Sequence, residues 1–159
     1  MKVKFSYNLI ACSEEPLEII FERLSRYGYH GVELVGEPEQ TNLPKIQRLL
    51  DKYSLEVSSI CPIFTAERDL ISANEHIRKQ AIQYVKDVIK MASDVGASVI
   101  TVGPVSACMK IYPEKSRDVE WKWAISALKE LGEFAKDYDI KLVVEPWNRY
   151  ETYFINRIE

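Results

Sequence analysis

The sequence predicts an α/β protein built on a parallel sheet, and three observations support this prediction. Short apolar runs, typical of strands, alternate with longer runs in which apolar residues recur every three or four positions. Regular alternation of this kind favours parallel strands joined by helices. No GxGxxG or GxxxxGK loop follows a predicted strand, which disfavours a nucleotide-binding doubly wound sheet. The remaining common architecture is a (β/α)8 barrel of TIM type.

The first half of the chain predicts three strands and two helices. The apolar and aromatic run at 3–10 is the first strand, and Pro16 opens a helix with a single apolar stripe. Glycines bound the second strand at 31–36. A second amphipathic helix over 44–53 then leads to the third strand at 56–60.

The second half begins with a polar loop and a long helix. Ser72 and Glu75 have the spacing of a capping box, so they predict the start of that helix. Its apolar stripe runs over 77–95 and ends before a glycine. The nearly continuous apolar run at 98–102 is typical of a strand that is buried on both faces.

The end of the chain predicts one more helix and one more strand. The helix covers 121–138, the strand covers 141–145, and 147–159 form a loop and the first turn of a fifth helix. A complete barrel needs about 250 residues, whereas this sequence has 159. We therefore predict that residues 1–159 form one domain, the amino-terminal part of a TIM barrel with about five strands and four helices.

Composition excludes several classes of protein. With 47% apolar residues and a formal net charge of -3, the chain is not of a disordered type. Its sequence pI near 5.6 argues against a nucleic-acid partner, and no apolar run is long enough to predict a membrane span. Cys12, Cys61 and Cys108 are odd in number and far apart, which fits a reducing, cytoplasmic location.

Functional residues of parallel α/β folds lie at the carboxyl ends of the strands. The residues predicted there are Tyr7, Asn8, Glu33, Glu37, Cys61, Gly103, Ser106, Glu145, Trp147, Asn148, Arg149 and Glu151. Glu145 is the strongest candidate because a carboxylate after a buried apolar run is costly unless it is paired or bound to a cation. The alternative is a strand-end glutamate that simply reaches solvent. Glu33 either lines the barrel mouth or pairs with a lysine at the barrel wall.

The stretch over 143–156 resembles the fifth-strand motif of the D-tagatose 3-epimerase and D-psicose 3-epimerase family, a group of xylose-isomerase-like barrels. The core of the likeness is Glu-x-x-Asn-Arg-Tyr-Glu at 145–151. The segments at 31–34, 69–72 and 100–104 are also similar, but less specific. The likeness runs over the whole chain.

This resemblance implies specific roles for several residues. Glu145 would be a metal ligand and an acid/base residue, Glu151 would contact the sugar near its carbonyl end, and Tyr7 would line the sugar pocket. The cofactor would be Mn²⁺, Mg²⁺ or Co²⁺, held in the family by Glu, Asp, His and Glu ligands. The substrate-binding residues that we predict are Glu151, Tyr7, Glu33, Trp147 and Ser106.

The predicted function is a metal-dependent sugar isomerase or epimerase that transfers a proton through an enediolate. The family's other metal ligands lie on strands six to eight. We therefore expect this 159-residue chain alone to be inactive and its metal site to be incomplete. Strands one and five would have exposed edges, so we also expect a homo-oligomer. The expected partner is a small-molecule sugar, with neither nucleic acid nor membrane.

Other functions of the same superfamily remain open. They include hydroxypyruvate isomerase, inosose dehydratase and an endonuclease-IV-type repair enzyme, although the repair enzyme needs several histidines and this chain has two. A non-catalytic half-barrel that serves as a binding or assembly module is the alternative from a different class.

Overall fold

A computed structural model describes residues 3–12, 14–105 and 110–157, and these form one five-stranded sheet with four helices. The strands are β1 (Ser6–Asn8), β2 (Gly31–Gly36), β3 (Glu56–Pro62), β4 (Val99–Val102) and β5 (Lys141–Val144). The helices are α1 (Leu17–Arg26), α2 (Leu43–Tyr53), α3 (Glu75–Asp94) and α4 (Arg117–Lys136). None of these helices is long and apolar enough to span a membrane.

All neighbouring strands are parallel, and they follow one another in chain order from β1 to β5. A doubly wound sheet reverses its strand order at a switch point, whereas a barrel adds each strand on the same side. The observed order therefore confirms the predicted α/β class and the incomplete TIM barrel.

The helices cover one face of the sheet. The side chains of Val32, Ile60 and Ile100 point to that face, and each is fully buried in the main hydrophobic core. Their burial follows from the apolar stripes of the helices, in which Phe21 of α1 and Val85 of α3 are also fully buried. One packed layer of helices thus stabilises the sheet from outside.

The opposite face of the sheet is uncovered by helices, and we call it the open face. Strand register and the alternation of side chains assign its residues. They include the polar residues Asn8, Glu33, Ser59 and Thr101, together with Cys61 and the valines Val35, Val99 and Val143. Branched apolar side chains fill the interior of an ordinary TIM barrel, so the polar residues of this face are unusual for a packed interior.

Strand β1 is shorter than the predicted run over 3–10. The chain turns at Asn8, whose side-chain Oδ1 accepts a hydrogen bond from the Ile10 amide at 2.9 Å. A short 3-10 helix, Leu9–Cys12, then buries Leu9 in the core. The local side-chain hydrogen bond of Asn8 competes with strand geometry, and the apolar run alone could not reveal it.

Two local predictions are wrong. The cap of α3 is Asn74, which accepts from the His76 amide at 3.0 Å, rather than a capping box of Ser72 and Glu75. Asparagine is at least as good an N-cap as serine, and it lies directly before the first helical residue. For the segment predicted over 147–159, the described residues 147–157 contain turns and an isolated bridge to Lys110 and no helical turn, and 158–159 lie outside the described residues.

The outer edges of β1 and β5 lead to a first testable prediction. Val143 and Val144 are 47% and 40% exposed, and Phe5 before β1 is 62% exposed. Because unpaired, apolar strand edges invite pairing, we expect this chain to self-associate. Replacing both valines by lysine should shift the species seen in sedimentation velocity towards the monomer. Ile19→Lys, at a 50% exposed position on α1, should leave association unchanged. A wild-type chain that sediments as a folded monomer would contradict the prediction.

Candidate functional site

Glu145 and Glu33 lie on the same side of the sheet, on either side of Cys61. The Glu145 amide donates to the Val102 carbonyl at 3.2 Å, so the chain keeps its sheet pairing one residue beyond β5. Glu145 comes two residues after Val143 and therefore shares the open face, where it is exposed. Burial raises the pKa of the Cys61 thiol, and the negative charges of Glu33 and Glu145 raise it further.

Glu33 connects the first three strands through its carboxylate. Its Oε2 accepts from the Asn8 side-chain amide at 2.6 Å, and its Oε1 accepts from the Ser59 hydroxyl at 2.8 Å. These donors are neutral, so within the described part of the chain Glu33 does not pair with a lysine at the barrel wall. The carboxylate is half-buried and lies on the open face of the sheet.

Trp147 packs closely against the end of β4. A Cβ atom at Gly103 would overlap the Trp147 indole ring, so this contact requires glycine. The backbone around Trp147 is also fixed, because its amide donates to the Ile155 carbonyl at 3.0 Å and its carbonyl accepts from Asn156 at 2.9 Å. These hydrogen bonds close the loop after β5 and hold the Trp147 indole at the carboxyl end of β4.

Glu151 lies in the same loop and is exposed. Its Oε2 accepts from the Asn148 side-chain amide at 2.6 Å, while Asn148 Oδ1 accepts from the Tyr150 amide at 2.9 Å. Asn148 therefore uses both ends of its side chain to shape a turn that presents Glu151. This explains the spacing of Asn148 and Glu151 in the motif.

Tyr7 is separated from the other candidates. Its register with Val32 places it on the helix-covered face, where it packs edge-on against Tyr29 with ring centres 5.9 Å apart. The Cys12 thiol lies 3.6 Å from its hydroxyl, and this contact raises the pKa of Tyr7. Ser106 lies outside the described residues. The roles predicted for both residues stay predictions.

A buried ion-pair network lies behind the site, and the sequence did not predict it. Lys110, whose side chain is 9% exposed, donates to Asp69 at 2.6 Å and to Glu114 at 2.9 Å. Burial raises the pKa of Asp69, although Lys110 and the Ile71 amide oppose that shift. The Lys110 carbonyl also accepts from the Tyr153 amide at 3.3 Å. One lysine thus ties together the loops that follow β3, β4 and β5.

A second buried carboxylate anchors the same region. Glu120 of α4 is fully buried and accepts from the amides of Glu114 and Lys115 at 2.8 and 3.1 Å. It also accepts from the Tyr153 hydroxyl, and burial together with this carboxylate raises the pKa of Tyr153. The loop that carries Glu145, Trp147 and Glu151 is therefore fixed at its far end.

These residues do not make a complete metal site. Among residues 3–12, 14–105 and 110–157 there is no group of three or more His, Cys, Asp or Glu side chains able to hold a metal ion. Glu145 has the oxygen chemistry that Mg²⁺ or Mn²⁺ prefers, but one exposed carboxylate does not retain such an ion.

The fold and the strand-end carboxylates define a class, the (β/α) barrels that bind ligands at the carboxyl ends of parallel strands. Within that class, the family model described as xylose isomerase-like TIM barrel matches residues 21–159, and the chain belongs to this family. The predicted family relationship is therefore confirmed.

Curated relatives are similar over most of this chain. It is 25% identical to the fructoselysine 3-epimerase of Shigella flexneri, with 86% of this chain and 51% of that protein covered. It is 24% identical to a probable ketose 3-epimerase of Synechocystis, with 99% of this chain and 56% of that protein covered. The chain spans about half the length of the curated relatives it matches.

Solved structures show the same fold. The 3-keto-D-glucoside 4-epimerase of E. coli superposes with a TM-score of 0.83 at 20% identity, covering 98% of this chain and 60% of that structure. The D-allulose 3-epimerase of Methylomonas, in complex with D-allulose, gives 0.84 at 20% identity, with 98% and 55% covered. The half-barrel described above matches both structures over almost all of its own length.

Proposed function

We propose that this chain is the amino-terminal part of a sugar isomerase or epimerase, which moves a proton next to the carbonyl group of a ketose. The position of Glu145 at the end of β5, on the open face, is the observation that carries the proposal. Family membership and the likeness to ketose 3-epimerases support it.

The chemistry needs a base beside an acidified carbon. A proton next to a ketone is weakly acidic, and a positioned carboxylate contributes about 10²–10⁴-fold by removing it. In the proposal Glu145 takes this proton, and Glu151 in the same loop binds the sugar near its carbonyl. Trp147, two residues after Glu145, packs against Gly103 at the end of β4 and against the hydrophobic core, and so fixes the start of this loop.

A divalent cation, Mn²⁺, Mg²⁺ or Co²⁺, is the proposed cofactor of the complete protein. When bound, it would supply positive charge beside the substrate oxygens that become negative. Glu145 would contribute one ligand, and residues outside this chain would supply the others. A cytoplasmic location and a small-molecule sugar partner belong to the same proposal.

The test is a substrate panel on the complete protein, with each metal added separately. Ketohexoses, hydroxypyruvate and an inosose would be incubated in D₂O, and proton NMR would follow deuterium entry next to the carbonyl. We expect exchange and inversion with a ketose, and no turnover by the 159-residue chain alone. Turnover of hydroxypyruvate or of the inosose instead of a ketose would contradict the proposal and would identify a hydroxypyruvate isomerase or an inosose dehydratase. No reaction with any substrate would favour a binding module.

A further inference from the structure

The open face has a polar centre away from Glu145. Asn8, Glu33 and Ser59 form a hydrogen-bonded row across β1, β2 and β3, with donor–acceptor distances of 2.6 and 2.8 Å. The opposite face of the same strands is apolar and packed. The row therefore has no role in the helix-covered core, and it lies where a ligand inside the barrel would pass.

The Glu33 carboxylate has capacity to bind more than its present partners. An ionised carboxylate only accepts hydrogen bonds and has about four lone-pair positions, of which the described residues use two. Asn8 and Ser59 hold both oxygens in place without neutralising the charge. A group that completes this site must donate hydrogen bonds, because another acceptor would meet a fixed negative charge.

The surrounding charges point in the same direction. Glu33 and Glu145 both act on Cys61, so the open face carries negative charge on two sides of that thiol. Within the described residues, the nearby loop cations Lys110 and Arg68 are engaged by Asp69 and by Glu37. These two cations are therefore not free to bind a phosphate group, whereas Arg149 is exposed without an ion pair in the described structure but lies in the loop after β5, at the Glu145 end.

We propose that Glu33, held by Asn8 and Ser59, binds the end of the substrate remote from the reacting carbon through hydroxyl or ammonium donors, and that it rejects phosphorylated sugars. This inference rests on the proposed function, since it assumes that the carbonyl end lies at Glu145. β2 and β5 are about 14 Å apart along the sheet, at about 4.8 Å per strand. The side chains of Glu33 and Glu145 both extend over the open face, so the distance between their carboxylates is shorter than the distance between the strands and is comparable to the length of a sugar.

Glu33→Gln tests the proposal because it removes the charge and keeps the shape. The substrates for the complete protein are a ketohexose, its 6-phosphate and a ketose that carries an amine at the same end. We expect the wild type to prefer the unphosphorylated sugars at least 100-fold in kcat/KM. The variant should raise KM for them about 10-fold or more with a smaller effect on kcat, and should narrow the discrimination against phosphate. A larger loss for the amine would identify ammonium as the preferred donor.

Two further variants separate charge from folding. Glu33→Asp keeps the negative charge but shortens the side chain by one methylene group. It should therefore weaken sugar binding and still reject the sugar phosphate. Glu56→Gln makes the same change at the amino-terminal end of β3, where Glu56 pairs with Lys4 at the surface, and should change nothing. Circular dichroism would verify the fold of each variant.

Calorimetric binding of the same three ligands examines the subsite without turnover. If wild-type protein binds the unphosphorylated sugars selectively but converts none of them, the proposed function fails and the subsite stands. Equal binding of sugar and sugar phosphate by the wild type would overturn the subsite. The subsite would also be overturned if Glu33→Gln discriminated between sugar and sugar phosphate as strongly as the wild type does.

Discussion

Lys110→Met is expected to destabilise the chain by about 3–5 kcal/mol, the usual loss when one partner of a buried ion pair is removed. Lys110 is the only lysine that Asp69 contacts in the described structure, and Asp69 is 2% exposed. After the substitution the Asp69 carboxylate would keep only the Ile71 amide as a partner. Urea denaturation of wild type and variant measures the difference in the free energy of unfolding.

The pH dependence of this loss gives an independent check. The pKa of Asp69 is already raised by burial, and removal of Lys110 must raise it further. A carboxyl group whose folded-state pKa exceeds its unfolded value favours the folded state at low pH, and this contribution is lost as pH rises through the folded-state pKa. The difference in stability between wild type and variant should therefore shrink as pH falls from 7 towards the ordinary aspartate range.

Two controls separate burial from the loss of a charge. Lys136→Met removes an exposed pair with Glu133, whose side chains are 69% and 75% exposed, and should cost less than about 0.5 kcal/mol. Adding Asp69→Asn to Lys110→Met removes the uncompensated charge and should recover about half of the loss. Equal losses for Lys110→Met and Lys136→Met would show that the buried network does not stabilise the loops.

The sheet was predictable because its signal is local. Alternation along β2 places Val32 and Leu34 opposite Glu33, and the structure buries both apolar residues while Glu33 faces the open side. The position of Glu145 after an apolar run likewise follows from the sequence alone. The strands, their order and the faces of Glu33 and Glu145 therefore follow from the sequence, whereas Tyr7 lies on the helix-covered face and not at the predicted pocket.

The buried network was not predictable because its partners are distant in sequence. Asp69 and Lys110 are 41 residues apart and meet only after three loops converge at the carboxyl ends of the strands. A lysine and an aspartate in polar loops look like solvated residues until their burial is known. The partner of Glu33 was unpredictable for the same reason. Ser59 is 26 positions away in sequence, and the register of β2 and β3 brings its hydroxyl to the Glu33 carboxylate.

Local competition explains the remaining errors. Asn74 caps α3 in place of Ser72, and the segment after β5 closes on Trp147 instead of starting a helix. In that segment Phe154 is buried against Trp121, with ring centres 4.8 Å apart, so tertiary packing sets the backbone. Helical propensity in a short segment is weak compared with such a contact.

The second large effect concerns Glu145. We expect Glu145→Gln to lower kcat of the complete protein about 10²–10⁴-fold, because glutamine keeps the shape but cannot accept the proton. Glu145 is exposed in this chain and lacks an ion-pair partner within the described residues. Its substitution should therefore leave the unfolding midpoint of the 159-residue chain unchanged. Deuterium exchange next to the substrate carbonyl measures the chemical step directly.

The control for this experiment is Glu133→Gln, the same change at a 75% exposed side chain on α4, which should keep full activity. If Glu145 also binds the cation, the variant should need a higher metal concentration for its residual rate. Retention of wild-type exchange by Glu145→Gln would identify Glu145 as a solvated strand-end residue. Glu33 would be a poor replacement as the base, since it is held by Asn8 and Ser59 at the far side of the open face.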